Sequence, residues 1–145
     1  MDVKPFIQNV AWVDVPRQQH IEPGVNSMLI QIVDPAMEFP TPGHTFKEVH
    51  KFEFLDLEAG DDFGHEFKVT GEQAKELVRL LQHALDNSMN VIVHCVAGIC
   101  RSGAVCEVGV MLGFRDTDTY RQPNLMVKKK MMQALGWTYD EGNQK

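Results

Sequence analysis

A cysteine and an arginine six positions apart are the residues of this sequence whose types and spacing best suit catalysis. Cys95 and Arg101 bracket a short loop that contains Gly98. The loop follows the apolar stretch Val91-Ile92-Val93, which predicts a buried strand, and precedes residues 102–112, which predict a helix. The backbone N–H groups at a helix N-terminus have no partners within the helix, so a loop wrapped around them forms a concave set of donors for an anion. The sequence therefore predicts an anion-binding loop, suited to a phosphate dianion.

Each side chain of this loop has an expected part in the chemistry. The positive field of the backbone donors favours the thiolate of Cys95, which makes it a nucleophile near neutral pH. The planar guanidinium of Arg101 can hold two phosphate oxygens at once. Ser102 can donate its hydroxyl to the sulfur when the sulfur leaves, and we expect His94 to support the loop by hydrogen bonding. The expected phosphate-binding positions are Val96, Ala97, Gly98, Ile99, Cys100 and Arg101.

Strands and helices that could hold this loop alternate along the chain. Alternation and apolar content predict strands over residues 9–15, 28–33 and 52–57. Thr70 and Gln73 fit a capping box that begins an amphipathic helix, and another helix is predicted over residues 124–135. The pattern favours an α/β fold, a three-layer sandwich with a central, mostly parallel sheet flanked by helices.

Length and charge narrow the class of protein. A chain of 145 residues predicts a single domain over residues 1–145. The net charge of −6 argues against nucleic acid and anionic membranes as partners. The first five residues, Met-Asp-Val-Lys-Pro, are unlike a signal peptide, and we expect a cytoplasmic location. Oligomeric state cannot be read from the sequence.

The motif His-Cys-x5-Arg-Ser at positions 94–102 resembles the signature of the cysteine-dependent protein tyrosine phosphatases, in particular the compact dual-specificity group and its small bacterial relatives. The similarity covers about residues 28–136 and extends to the order of the flanking elements, including the pair Pro123-Asn124 that opens the last helix. The resemblance implies a tyrosine phosphatase-like fold and hydrolysis of phosphotyrosine, with phosphoserine or phosphothreonine as further substrates, through a phosphocysteine on Cys95. It implies no cofactor and no metal.

The resemblance also requires an aspartic acid that protonates the leaving oxygen and then activates water. Asp61 lies 34 positions before Cys95, a spacing typical of compact members, and is expected first. Asp56, at the end of a Phe-x-Asp strand, is the second candidate, and Asp62 is the third.

Cys100 departs from the usual dual-specificity pattern. The spacing Cys-x4-Cys-Arg-Ser is similar to the low-molecular-weight phosphatases, in which the second cysteine can trap an oxidised nucleophile as a disulfide. We therefore hypothesise that Cys100 resolves an oxidised Cys95; the alternative is a small side chain that only packs.

Substrate class and competing activities follow from the same loop. No basic side chain stands between Cys95 and Arg101, which argues against phosphoinositides and favours a phosphorylated protein or another aryl phosphate. A rhodanese-type sulfurtransferase also uses a cysteine in an anion-binding loop, and a phosphoprotein-binding module is a third possibility.

Overall fold

Five strands form one sheet, and every pairing in it is parallel. The computed structural model describes residues 3–137, so the first two and the last eight residues of the predicted domain 1–145 lie outside it. In chain order the strands are β1 (Phe6–Val10), β2 (Ser27–Val33), β3 (Glu48–Glu53), β4 (Asn90–His94) and β5 (Arg115–Asp116). Their order across the sheet is β3-β2-β4-β1-β5, which places β4 at the centre.

The central strands are apolar because both of their faces are covered. Val91, Ile92 and Val93 of β4 are fully buried, and all seven residues of β2 are buried. Parallel strands that are covered on both faces carry such continuous apolar runs. The carboxyl ends of β1, β2, β3 and β4 lie along one edge of the sheet, where open α/β sheets bind their ligands.

Three helices pack against one face of the sheet. They are α1 (Gly71–Asp86), α2 (Arg101–Leu112) and α3 (Leu125–Ala134). The predicted capping box begins α1: the N–H of Gln73 donates to Thr70 Oγ1 at 3.0 Å, and the N–H of Thr70 donates to Gln73 Oε1 at 2.9 Å. Leu77, Leu81 and Ala84 follow on its buried face. The main core lies between these helices and the sheet.

The opposite face of the sheet is covered by irregular segments. Val15 and Phe46 pack there against Leu29 of β2 and Ile92 of β4. The α/β class and the parallel sheet flanked by helices confirm the predicted fold class. No helix among residues 3–137 is long and apolar enough to span a bilayer.

Two predicted strands are displaced in the structure. The strand predicted over residues 9–15 is β1 at Phe6–Val10, and Trp12–Asp14 form a short 3₁₀ helix. Asp14 Oδ2 accepts the N–H of Ala11, and that local hydrogen bond turns the chain out of the sheet. The strand predicted over residues 52–57 is β3 at Glu48–Glu53, so Phe54 and Asp56 lie beyond its end.

Candidate active site

The loop of residues 95–100 connects β4 to the N-terminus of α2, as predicted. Cys95 opens it and is 2% exposed. Its Sγ accepts the N–H of Gly98 at 3.2 Å and lies 3.1 Å from Ser102 Oγ. Hydrogen-bond donors aimed at a sulfur stabilise the thiolate more than the thiol. The geometry thus supplies both of the contacts that a nucleophilic Cys95 needs.

Most carbonyl groups of the loop accept hydrogen bonds from other parts of the chain. Partners outside the loop bind four of them: Trp12 N–H donates to Val96 O at 3.1 Å, Asn9 Nδ2 to Gly98 O at 2.8 Å, Gln122 N–H to Ile99 O at 3.1 Å and Asn124 N–H to Cys100 O at 2.9 Å. The donors come from β1 and the segment directly after it, and from the segment before α3. Two parts of the chain, one earlier and one later in the sequence than the loop, therefore hold the loop through its carbonyl groups.

The N–H groups of the loop remain available on the inside. In the described part of the chain, no protein acceptor takes the N–H of four residues, Val96, Ala97, Ile99 and Cys100. Backbone donors that converge at a helix N-terminus bind anions. We call this set of N–H groups the anion nest.

Gly98 is required for the course of the loop. Its φ is +78°, in the left-handed region that favours glycine. A Cβ at this position would lie 2.5 Å from Ala11 N and 2.5 Å from the carbonyl carbon of Val10. The loop thus packs directly against the chain that leaves β1, and no other residue fits there.

His94 is the last residue of β4 and is fully buried. Its ring lies with Nδ1 3.1 Å from Cys95 O. Burial is the main cause that lowers the pKa of His94 to about 4, and the nearby charge of Arg101 contributes to this value in the same direction. The neutral ring at pH 7 therefore donates from Nδ1 to the carbonyl of Cys95.

Arg101 begins α2 and is 4% exposed. Its Nη1 donates to Asp34 Oδ1 and to Phe54 O, each at 2.7 Å. Its Nε is buried and has no partner among the described residues. The guanidinium is thus held by one nitrogen, and an unpaired donor remains for an anion.

Asp34 is a site residue that the sequence reasoning missed. It directly follows β2, and β2 lies beside β4 in the sheet. The position of a carboxylate at the carboxyl end of a strand next to the loop was the signal that could have indicated it.

The structure separates the three candidate acids. Asp61 Oδ2 accepts the N–H of Glu58 at 2.7 Å, so its carboxylate is used within its own turn. Asp62 is exposed on the same turn. Asp56 lines a cleft beside the loop and its Oδ1 accepts the Nδ2 of Asn124 at 2.7 Å. Of the three candidates Asp56 is the one that lines this cleft, and the identity of the acid stays a prediction.

The cleft has a volume of about 400 Å³. Its lining consists of Asp56, Glu58, Cys100, Gln122, Pro123, Asn124 and Leu125. Burial raises the pKa of the Cys100 thiol, and the negative charge of Asp56 raises it further. The second cysteine thus faces the candidate acid from within the loop.

Among residues 3–137, no three His, Cys, Asp or Glu side chains are grouped so that they could hold a metal ion. The donors that face the loop are backbone N–H groups and the guanidinium, both of which bind anions rather than cations.

No family model and no curated protein matches the sequence. Solved structures do match the fold. Human DUSP28 aligns with 94% of this chain and 84% of its own, at 16% identity and a TM-score of 0.51. OH1 from the Orf virus, described as a tyrosine phosphatase, aligns at 18% identity and a TM-score of 0.48; the match covers 77% of this chain and 58% of OH1. Tk-PTP in its active form aligns with 92% of this chain and 80% of its own, at 16% identity and a TM-score of 0.47.

The match to human DUSP28 covers both sides of the site, since nearly the whole described chain aligns. In this chain the loop lies between β4, the central strand of the parallel sheet, and helix α2. The chain therefore has an α/β fold similar to that of human DUSP28.

Proposed function

We propose that the protein is a phosphatase that hydrolyses phosphotyrosine and related aryl phosphates through a phosphocysteine on Cys95. The observation that carries the proposal is the anion nest, four N–H groups without a protein acceptor in the loop that begins with Cys95 and leads into Arg101, whose Nε is also unpaired among the described residues. Preorganised donors of this kind stabilise the charge that spreads over the phosphoryl oxygens in the transition state.

In the first step the thiolate of Cys95 attacks phosphorus, a P–S bond forms and the P–O bond to the leaving group breaks. Asp56 gives its proton to the leaving oxygen. In the second step Asp56 takes a proton from water, the water oxygen attacks phosphorus and the P–S bond breaks. Ser102, 3.1 Å from the sulfur, donates to it as it leaves.

We assign the acid–base role to Asp56 rather than to Asp61 or Asp62. Asp56 borders the cleft that also contains Cys100, whereas Asp61 and Asp62 are not part of its lining. His94 supports the loop as a neutral donor to Cys95 O.

The lining of the cleft supports a monoester with an uncharged leaving group. Two carboxylates, Asp56 and Glu58, and no basic side chain border it. Polyphosphates and phosphoinositides would be repelled, while an aromatic ring can lie against Leu125 and Pro123. Phosphoserine and phosphothreonine are secondary substrates in this proposal. The three free cysteines are compatible with a reducing compartment, and we propose the cytoplasm.

Hydrolysis of para-nitrophenyl phosphate tests the proposal. We expect turnover by the wild-type protein, no turnover by Cys95→Ser or Arg101→Lys, and a drop of about 10²-fold or more in Asp56→Ala. Asp61→Ala is the matched control and should stay close to wild type. Activity in Cys95→Ser would overturn the mechanism, and transfer of sulfur from thiosulfate without phosphate release would favour a rhodanese-type activity.

A further inference from the structure

Asn124 joins the three segments that meet at the candidate active site. It is 2% exposed and immediately precedes α3. Its backbone N–H donates to Cys100 O at 2.9 Å, in the anion-binding loop. Its Nδ2 donates to Asp56 Oδ1 at 2.7 Å and to Leu57 O at 3.0 Å. One residue thus contacts both the loop that would hold the phosphate and the aspartate beside it.

The oxygen and the nitrogen of the Asn124 side-chain amide bind different parts of the protein. Oδ1 accepts the N–H of Val127 at 2.9 Å and so caps α3. Serine or aspartate would provide that cap equally well. An ionised aspartate has no donor and a serine hydroxyl has only one, so neither could donate to both Asp56 Oδ1 and Leu57 O as the Nδ2 group does. The helix therefore does not explain the choice of asparagine, and the contact with Asp56 does.

Glu58 fastens the same segment to the same helix. Its Oε2 accepts the N–H of Leu125 and its Oε1 accepts the N–H of Met126, both at 2.9 Å. A carboxylate at a helix N-terminus satisfies free donors and interacts favourably with the helix dipole. Residues 56–58 are thus hydrogen-bonded to the start of α3 both through Glu58 and through Asn124. The Asn124 side chain is the one that contacts the Asp56 carboxyl group.

We propose that Asn124 is a positioning residue that holds the carboxyl group of Asp56 at a fixed place beside the phosphate-binding loop. The inference rests on the proposed function, in which Asp56 protonates the leaving oxygen. A misplacement of a reacting group by about 1 Å can cost on the order of 10²-fold in rate. Loss of the Nδ2 donor therefore impairs the steps that need Asp56 and leaves the attack by Cys95 intact.

The dependence of the rate on the leaving group separates positioning from general damage. Phosphotyrosine releases a basic phenolate that needs a proton, whereas 2,4-dinitrophenyl phosphate releases a stable anion that does not. The readout is kcat/KM, which covers only the steps up to formation of the phosphocysteine. For Asn124→Ser we expect a loss of about 10- to 100-fold with phosphotyrosine and a value close to wild type with 2,4-dinitrophenyl phosphate.

Two further variants make the result decisive. Asn124→Asp keeps the helix cap but places a carboxylate against Asp56, and it should show the same selective loss; it serves as the test if Asn124→Ser does not fold. Thr70→Ser exchanges the cap of α1, which is not part of the cleft lining, and should leave kcat/KM unchanged for both substrates.

The outcomes distinguish this inference from the proposed function. An equal loss with both substrates, or no loss with phosphotyrosine, would overturn the positioning role of Asn124 while Cys95→Ser and Asp56→Ala still behave as proposed. If Asp56→Ala itself shows no dependence on the leaving group, the acid assigned in the proposed function is wrong and the inference fails with it.

Discussion

Arg101 Nη1 and Asp34 Oδ1 lie 2.7 Å apart and form an ion pair that links the first residue of α2 to the end of β2. The same nitrogen also donates to Phe54 O, beyond the end of β3. The carboxyl ends of two neighbouring strands thus hold the guanidinium in one orientation. The Nε group is buried and has no hydrogen-bond partner among the described residues.

Removal of the Asp34 carboxylate should weaken both stability and catalysis. In Asp34→Ala the buried guanidinium loses its charged partner, and because the Asp34 side chain is 39% exposed we expect only about 1–2 kcal/mol of lost unfolding free energy. We expect kcat/KM for para-nitrophenyl phosphate to fall about tenfold because Arg101 is less well oriented. Urea unfolding and steady-state kinetics measure the two effects.

Asp34→Asn is the control for this pair, since it retains an oxygen acceptor but not the charge. It should recover most of the activity. A wild-type kcat/KM in Asp34→Ala would show that Phe54 O alone orients Arg101.

Substitution of Gly98 should destabilise the protein by more than the strain of its positive φ alone. Gly98→Ala combines a strained φ with a Cβ that overlaps Val10 and Ala11, and we expect a loss on the order of 3 kcal/mol and no phosphatase activity. Gly24 is a matched control, because its φ is +80° but a Cβ there would meet nothing within 4 Å. Gly24→Ala should cost only about 1 kcal/mol and retain activity. Similar stability of the two variants in urea would contradict the close approach to β1.

The buried His94 should make stability depend on pH. Its pKa is about 4 in the folded protein, below the ordinary value of 6.5, so the unfolded chain binds more protons between these values. Stability from His94 is therefore complete above pH 6.5 and is lost as the pH falls towards 4, by on the order of 2–3 kcal/mol. Urea unfolding at pH 7 and pH 5 should show this loss in the wild type.

His94→Asn keeps a donor near the position of Nδ1 but cannot gain a proton in this range. The difference in unfolding free energy between pH 7 and pH 5 should therefore shrink in this variant. Identical pH dependence in the two proteins would mean that other groups cause the loss.

Peroxide should convert the Cys95 thiolate to a sulfenic acid, and the proposed role of Cys100 is to attack that sulfur with loss of water and form a disulfide. We expect more activity to return with reductant in the wild type than in Cys100→Ser. Because the pKa of Cys100 is raised and the thiolate is the attacking form, the protection should increase from pH 7 to pH 9. Cys106→Ser is the control, since that thiol is buried and hydrogen-bonded to Ile7 O. Equal recovery with and without Cys100 would favour the packing role.

The sequence allowed the prediction of α1, β2 and the loop because each depends on local signals. The capping box at Thr70 and Gln73, the apolar run of β2 and the glycine in the loop act within a few residues. The contact between Asp34 and Arg101 depends instead on the placement of β2 beside β4, which no local pattern reveals.

The assignment of the acid shows the same limit. Asp56, Asp61 and Asp62 lie within seven positions, and spacing from Cys95 favours Asp61. The distinction arises from hydrogen bonds: the N–H of Glu58 binds Asp61, whereas the side chain of Asn124, which is remote in sequence, binds Asp56. Long-range partners thus decide which carboxylate faces the cleft.

The hydrogen bonds to the carbonyl groups of the loop have a consequence for synthesis on the ribosome. The groups that bind its carbonyls come from Asn9 and Trp12 on one side and from Gln122 and Asn124 on the other. A nascent chain that has extruded Cys95 and Arg101 still lacks half of these supports. The growing polypeptide should therefore remain inert as a catalyst until the stretch around residue 124 has left the exit tunnel and joined the rest.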